Sequence, residues 1–442
     1  MIKTTKDFLT ERNLQGSFKK ERVGIINLGC ARNLVDSQMI LGRLKKNGHR
    51  IVDVQHSDIA IVNTCSFIEE SRRESIDTIL DLLELKREGK IKKVIVAGCL
   101  AQRYGKELTQ EFKEVDAFVG TPTLSKDGVP VQYSLTPKHF AYVKICESCF
   151  NQCSFCAIPH IKGKFSSRTV ESIVAEVKAL DRRGVQEINL IGQDITAYGM
   201  DLYRTKSLAR LLKEIVRETE TIRWIRLLYA FPAHMTDELI DTIANEEKIC
   251  NYIDMPLQHI SDHLLTDMHR SISRQQTLDL IEKLRTKIPA GSLRTTFIVG
   301  FPGETDEDFA QLLSFVKDTR FERAGVFIYS REEGTSAYDF PQQISESVKK
   351  KRLDILMRTQ QKISQEIHQK FLGKRLPVMI EEKQKNEDNV YLGRTEYDAP
   401  EVDGLVYVRA SKTLNPGDFV QVEITDTYEY DLAGEFLTPI SS

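Results

Sequence analysis

The sequence lacks any apolar run approaching the roughly 20 residues of a membrane span. Its first stretch, Met1 to Lys20, is polar and charged and has no apolar signal-peptide core. A mobile extension or a short capping helix is expected there. The chain also lacks a strong excess of either charge: 62 Lys+Arg against 64 Asp+Glu give a net of −2, which points to no partner by itself. It lacks, too, the cysteine density of a small secreted domain. Eight cysteines in 442 residues form no disulfide framework and argue for a reducing, cytoplasmic compartment. With 41% hydrophobic and 29% charged residues the balance is that of an ordinary soluble protein. The length allows roughly three domains.

The cysteines that are present carry the information. Cys149, Cys153 and Cys156 stand in a C-x3-C-x2-C triplet after the apolar run Ala141 to Ile145. Three thiolates on one short loop can hold three irons of a cubane cluster and leave the fourth open to a substrate. Cys146 extends the pattern to C-x2-C-x3-C-x2-C, which could close a four-thiolate zinc site. Three residues between the pairs leave little room for the two knuckles to face each other. On the cluster reading Cys146 stays outside. Cys250, in Glu246 to Tyr252, follows no strand-like run and is expected to be a partly buried structural thiol.

The expected fold class is α/β, with an N-terminal open parallel α/β sheet domain over 21–135, a central partial (β/α)6 barrel over 136–370 and a small all-β barrel over 371–442; 1–20 is the extension. In the first domain, three β-rich runs (Val23–Leu28, Ile59–Val62, Val94–Val96) are each followed by helical patterns. Each run ends in a cysteine: Cys30, Cys65 and Cys99, about 35 residues apart. Ligands of such sheets bind beyond the carboxyl ends of the strands, so the three can converge. The following helix N-termini favour negative charge. Three core cysteines are the plain reading; their shared placement favours a second three-cysteine cluster.

In the central region six candidate strands recur near Tyr142, Glu187, Trp224, Tyr252, Thr295 and Gly325, with helical patterns between them. The triplet falls at their carboxyl face, as do Gln193, Asp194, Gln258, His259 and Glu304. Gly300-Phe-Pro-Gly-Glu304 also reads as a plain strand-to-helix turn. The last region carries seven Lys+Arg against fourteen Asp+Glu between Phe371 and Ser442, a net of −7, leaving about +5 for the rest. An acidic barrel suits a basic partner better than RNA.

After Glu21 the chain resembles the radical S-adenosylmethionine (SAM) methylthiotransferases, whose terminal barrel is a TRAM domain. Leu28 to Ser37, Asn63 to Ile68, Pro256 to His259, Thr296 to Thr305, Tyr397 to Gly404 and Glu429 to Gly434 are similar to the branch that modifies an aspartate of the twelfth small-subunit ribosomal protein. The other branch modifies tRNA adenosine. Three positions depart from the family's habit: Ser148 where glycine is common, Phe150 where asparagine is, and Lys162 where arginine is.

The resemblance implies two 4Fe-4S clusters and SAM as cofactors. Cys149, Cys153 and Cys156 would hold the radical SAM cluster, at which one-electron reduction of SAM yields methionine and a 5′-deoxyadenosyl radical. Cys30, Cys65 and Cys99 would hold an auxiliary cluster that presents sulfur to the substrate radical, and a second SAM would supply the methyl group. Gln193, Gln258 and Glu304 are candidates for the SAM pocket. No catalytic residue beyond the cluster ligands is assigned. A basic ribosomal protein as substrate, an electron donor such as flavodoxin or ferredoxin, a monomeric state and no membrane are expected. A tRNA methylthiotransferase, a radical SAM enzyme with a merely structural auxiliary cluster and a zinc-bearing RNA-binding module are the alternatives.

Overall fold

A computed structural model describes residues 21–440; the expected extension at 1–20 lies outside the described residues. Strands β1 (Arg22–Asn27), β2 (Arg50–Ile51), β3 (Ile59–Thr64), β4 (Lys93–Gly98) and β5 (Ala117–Val119) form one sheet in the order β2-β1-β3-β4-β5. All its pairings are parallel. Every residue of β3 is buried, which is why its first four residues, Ile-Ala-Ile-Val, read as an apolar run and not as an alternation. Helices Ala31–Lys46, Glu69–Arg87 and Cys99–Glu111 follow β1, β3 and β4. The carboxyl ends of those three strands therefore all face one edge of the domain.

The central domain begins with β6 (Phe140–Lys144), followed by a short antiparallel pair, β7 (Cys146–Glu147) and β8 (Ser166–Ser167). Five more parallel strands complete an open sheet: β9 (Glu187–Ile191), β10 (Trp224–Leu227), β11 (Ile249–Asp254), β12 (Ser292–Val299) and β13 (Arg323–Ile328). Their order, β13-β12-β11-β10-β9-β6, is that of six successive strand–helix units, as the sequence predicts. Strand β11 starts three residues earlier than its apolar run suggests. Cys250 therefore lies within a strand and is fully buried, not partly so.

The terminal domain is a closed barrel of β14 (Arg375–Lys383), β15 (Val390–Arg394), β16 (Val406–Arg409), β17 (Phe419–Thr427) and β18 (Leu432–Pro439). Closure leaves no open sheet edge. Its loop after β15 reaches into the underside of the central sheet. Arg226 donates to the Glu396 carbonyl at 2.6 Å, Tyr252 to Asp403 at 2.6 Å, and Arg323 pairs with Asp398 at 2.5 Å. Glu187, at the start of β9, accepts from Arg226 at 2.8 Å and from Arg394 at 2.6 Å. Glu381 answers Arg394 on its other side and meets His139 at 2.7 Å.

Burial pushes the Glu187 carboxyl up, but the Arg394 and Arg226 charges outweigh it and bring it below its ordinary value. Removing its charge leaves buried Arg226 without a carboxylate and Arg394 with Glu381 alone. Glu187→Gln is expected to destabilise the protein by about 3–5 kcal/mol at pH 7, read as a lower urea midpoint. Because the folded carboxyl is depressed, this contribution is present above the unfolded value of about 4.3 and fades as pH falls through the folded one. The wild-type and Glu187→Gln midpoints should therefore converge in acid. A constant gap would contradict an ionised Glu187.

Candidate active site

The three strand-end cysteines converge. Gly29 and Gly98, both with left-handed φ (+89° and +94°), turn the chain just before Cys30 and Cys99. A Cβ on Gly29 would meet Cys65 at 2.9 Å, and one on Gly98 would meet Asn63 at 2.3 Å, so both turns need glycine. Cys30 caps the helix Ala31–Lys46, and Cys99 is the first residue of Cys99–Glu111. Asn33, buried, ties the ends together: its Nδ2 donates to the Leu28 and Thr64 carbonyls at 3.0 and 3.1 Å, and the Cys99 thiol approaches its Oδ1 at 3.6 Å. Ser75 Oγ brackets Cys65, accepting from its amide at 3.1 Å and donating to its carbonyl at 2.9 Å.

The three thiols do not share one environment. Burial pushes Cys99 up to about 12 and raises Cys65. Burial pushes Cys30 up as well, but the charge and hydrogen bond of Arg32, whose Nε lies 3.3 Å from its sulfur, bring it below its ordinary value.

Cys149, Cys153 and Cys156 lie on the loop after β7, folded tightly enough that the Cys156 amide donates to the Cys153 carbonyl at 3.1 Å. Burial raises Cys149 to about 11 and Cys156 to about 12, with Asp194 and Cys153 adding to the respective shifts. Ser148 enters the loop at φ 66°, which explains why glycine suits that position. Its hydroxyl donates to the Gly163 carbonyl at 2.6 Å. Phe150 is exposed and packs edge-on against Phe165. The neighbouring Asn151 donates both its amide and its side chain to Cys149, and its side chain also to Asp194 at 2.8 Å. Arg270 approaches Cys153 at 3.6 Å. Cys146 is fully buried, with its sulfur on the Asp194 carbonyl at 3.6 Å.

Domain docking brings the two cysteine sets together. Cys99 packs with Ala157, the residue after Cys156, and with Ile161. Asp36 of the first domain meets Lys144 and, at 3.0 Å, Lys162 of the second; Glu147 answers both lysines at 2.8 and 3.2 Å. Lys162 thus uses its single ammonium to join two carboxylates. Across the opening, Arg72 and Arg103 both hold Glu332 on the loop after β13, and Arg103 also reaches the Glu333 carbonyl at 2.7 Å.

Between the domains lies a cavity of about 380 Å³, within the range of small-molecule sites. Cys30, Cys65 and Cys99 line it, as do Phe155, Ile158 and Ile161 around the triplet and Gln193 and Gln258 from the barrel. Gln258 sits at φ 73°, held by backbone hydrogen bonds to β12, a strained conformation of the kind that gathers at functional sites. The Oε1 atoms of Gln193 and Gln258 are buried without a partner. A polar ligand would satisfy them. Glu304 is not among the lining residues. It accepts from the Gly300 amide and from Arg352 at 2.9 Å, and stands 3.5 Å from His259. Arg32, Asn33, Asp36, Tyr229 and Arg270 were not singled out in the sequence as site residues. The signal available for the first three was their place just after Gly29-Cys30.

Among the described residues no three His, Cys, Asp or Glu stand close enough to share a single metal ion. A thiolate zinc site draws its sulfurs around one ion at about 2.3 Å, whereas a cubane spreads three sulfurs over separate irons. The soft, all-thiol donor sets and the orphaned glutamine oxygens fit two iron–sulfur clusters and a polar cofactor between them.

The fold and the site define a radical SAM protein with a second cysteine site. Family models match accordingly: the radical SAM superfamily over residues 143–316, the uncharacterized protein family UPF0004 over 22–120 and the TRAM domain over 372–437. The chain is 46% identical to ribosomal protein uS12 methylthiotransferase RimO of Thermoanaerobacter sp. (strain X514), over 94% of this chain and 100% of that one. It is 44% identical to the protein of the same name from Clostridioides difficile (strain 630), over 94% and 99%. The chain belongs to the ribosomal protein uS12 methylthiotransferase family. Among solved structures, the radical SAM methyltransferase TsrM of Kitasatospora setae superposes with a TM-score of 0.54 at 14% identity, covering 85% of this chain and 81% of that one. That likeness concerns the fold alone.

In metal-free protein Cys30 is expected to react with iodoacetamide before Cys65 and Cys99 at pH 8, as read by mass spectrometry of the labelled peptides. Arg32→Gln should remove the lead by raising the Cys30 thiol. Equal rates in the wild type would show that Arg32 does not bias this site.

Proposed function

We propose that the chain is a radical SAM methylthiotransferase that replaces a hydrogen on the β-carbon of an aspartate in ribosomal protein uS12 with a methylthio group. The observation that carries this reading is that Cys30, Cys65 and Cys99 line one cavity with Phe155 and Ile158 of the segment carrying the Cys149–Cys156 triplet, against which Cys99 packs through Ala157 and Ile161. Near full-length likeness to uS12 methylthiotransferases supports the substrate.

Cys149, Cys153 and Cys156 hold the radical SAM 4Fe-4S cluster, and Cys30, Cys65 and Cys99 the auxiliary one. With SAM bound, these groups supply the radical, the sulfur and the methyl group. The chain's own residues arrange where that happens. Gln193 and Gln258 offer their unpartnered oxygens to SAM from the barrel floor. Glu304, hydrogen-bonded to the Gly300 amide, holds the strand-to-helix turn beside that floor. Asn151 and Arg270 orient Cys149 and Cys153 by donating to their sulfurs. The apolar walls Phe155, Ile158, Ile161 and Ile298 exclude water, which protects a reactive carbon centre. The electron enters from a small redox protein of the flavodoxin or ferredoxin kind. No helix among the described residues is long and apolar enough to cross a membrane.

The test is anaerobic. Reconstituted protein, SAM and a reductant are offered uS12 and tRNA together, and mass spectrometry should find the methylthio gain on the uS12 aspartate. A gain on nucleoside alone would sink the substrate assignment. Alanine at Cys30, Cys65 or Cys99 should abolish sulfur insertion and leave 5′-deoxyadenosine formation. Sulfur insertion at the wild-type level would remove the auxiliary role.

A further inference from the structure

Arg32 carries the one charge in the cavity that no carboxylate of the described residues answers. Two cations line the cavity, Arg32 and Lys162. Asp36 and Glu147 hold Lys162. The one lining carboxylate, Glu332, is held by Arg72 and Arg103. Arg32 donates Nε to Cys30 at 3.3 Å and Nη1 to the Gly192 carbonyl at 3.2 Å, with its guanidinium 4.3 Å over the Tyr229 ring. Its Nη2 has no hydrogen-bond partner among the described residues.

A guanidinium stays charged at any pH the protein meets, and one without a carboxylate in a largely apolar cavity is costly. The structure nevertheless fixes it firmly. Tyr229, beneath it, is itself held at φ 70°, its amide on Asp254 at 2.9 Å and its carbonyl on the Ile195 amide at 3.2 Å. Arg32 thus comes from the first domain and seats on the floor of the second. Its charge acts on Cys30 from one set and on Cys156 from the other.

We propose that Arg32 receives the side-chain carboxylate of the substrate aspartate and so sets its β-carbon beside the Cys30 site. This rests on the substrate reading above. The β-carbon is bonded directly to the carboxylate carbon, so a charge-assisted fork on the carboxylate fixes the reacting carbon to within one bond. The same contact selects aspartate over asparagine, whose side-chain amide loses the charge and sets N–H against N–H. Arg32 is then a substrate-positioning and specificity-determining residue, distinct from the cluster ligands.

The test uses the full-length, reconstituted enzyme with uS12 and with uS12 whose target aspartate is replaced by asparagine. Binding is read by fluorescence anisotropy without reductant, and turnover separately. Wild-type enzyme should bind the aspartate form about 10- to 100-fold more tightly, the worth of a hydrogen bond to a charged group. Arg32→Met should erase that ratio and raise KM for uS12. Arg32→Lys, which keeps the charge and loses the fork, should restore part of the ratio. An undiminished ratio in both variants would overturn the proposal. So would a weaker Kd for SAM with the ratio unchanged, which would assign the guanidinium to the SAM carboxylate. Wild-type enzyme that modifies no uS12 would defeat the substrate reading itself; an active wild type with an unchanged ratio in the variants defeats only the role of Arg32.

Discussion

The buried quartet of Asp36, Lys144, Glu147 and Lys162 is the contact on which the site depends. Each charge is almost or wholly withdrawn from water and each meets two of opposite sign or, for Glu147, two lysines and Gln193. Such a set is a weak source of net stability, because desolvation offsets most of the attraction. It is a strong source of geometry, since any other docking leaves a buried charge unanswered. Asp36 lies on the helix that Cys30 caps and that carries Arg32 and Asn33. Fixing Asp36 against the barrel therefore fixes one cysteine set relative to the other. The proposed sulfur insertion, which draws on both cysteine sets, would need that registration more than it needs stability.

The third domain is attached by similar means on the opposite side. Its acidic excess suggested a basic partner when read as a total. The structure shows that part of the excess is consumed within the chain. Glu381, Asp398 and Asp403 face Arg394, Arg323 and Arg294, and the Glu396 carbonyl takes Arg226. The loop Tyr397 to Gly404, similar to the uS12 branch in sequence, is a plug for the basic underside of the central sheet. What remains outward includes a depression lined by Glu387, Asp426, Asp431 and Glu435 against Arg409. Net charge was thus a weaker argument for the substrate than the full-length likeness to uS12 methylthiotransferases.

The three-domain α/β plan was legible because its signals are local. Strands β3 and β4 carry the apolar runs Ile59–Val62 and Val94–Ala97, six strand–helix units alternate in the centre, and the glycines before Cys30 and Cys99 mark the turns that place them. The cysteines were legible for the same reason: spacing in one set and strand-end placement in the other. What sequence could not give is what docking creates. Nothing in Ala31-Arg32-Asn33 says that Arg32 will cross to Gly192, 160 residues away, or that Asn33 will reach Thr64. Gln193 and Gln258 were reachable by strand-end position, and both line the cavity. Glu304 met the same criterion, yet it does not line the cavity: its Oε2 turns to Arg352 and the Gly300 amide, while its Oε1 is buried 3.5 Å from His259 without a hydrogen bond.

The cavity must reconcile two demands. A carbon radical requires dry, apolar walls, and the aspartate that carries it brings a carboxylate that apolar walls reject. Exclusion of water is served by Phe155, Ile158, Ile161 and Ile298, with exposed Phe67 and Phe327 at the rim, and by Arg72 and Arg103 clasping Glu332 across the opening. The other charges that line the cavity, Lys162 and Glu332, are paired among the residues themselves. Leaving one guanidinium without a carboxylate is the arrangement that admits a single anion and no second. Because that guanidinium also touches Cys30, an anion seated on it would lie beside the cysteine set proposed to deliver sulfur.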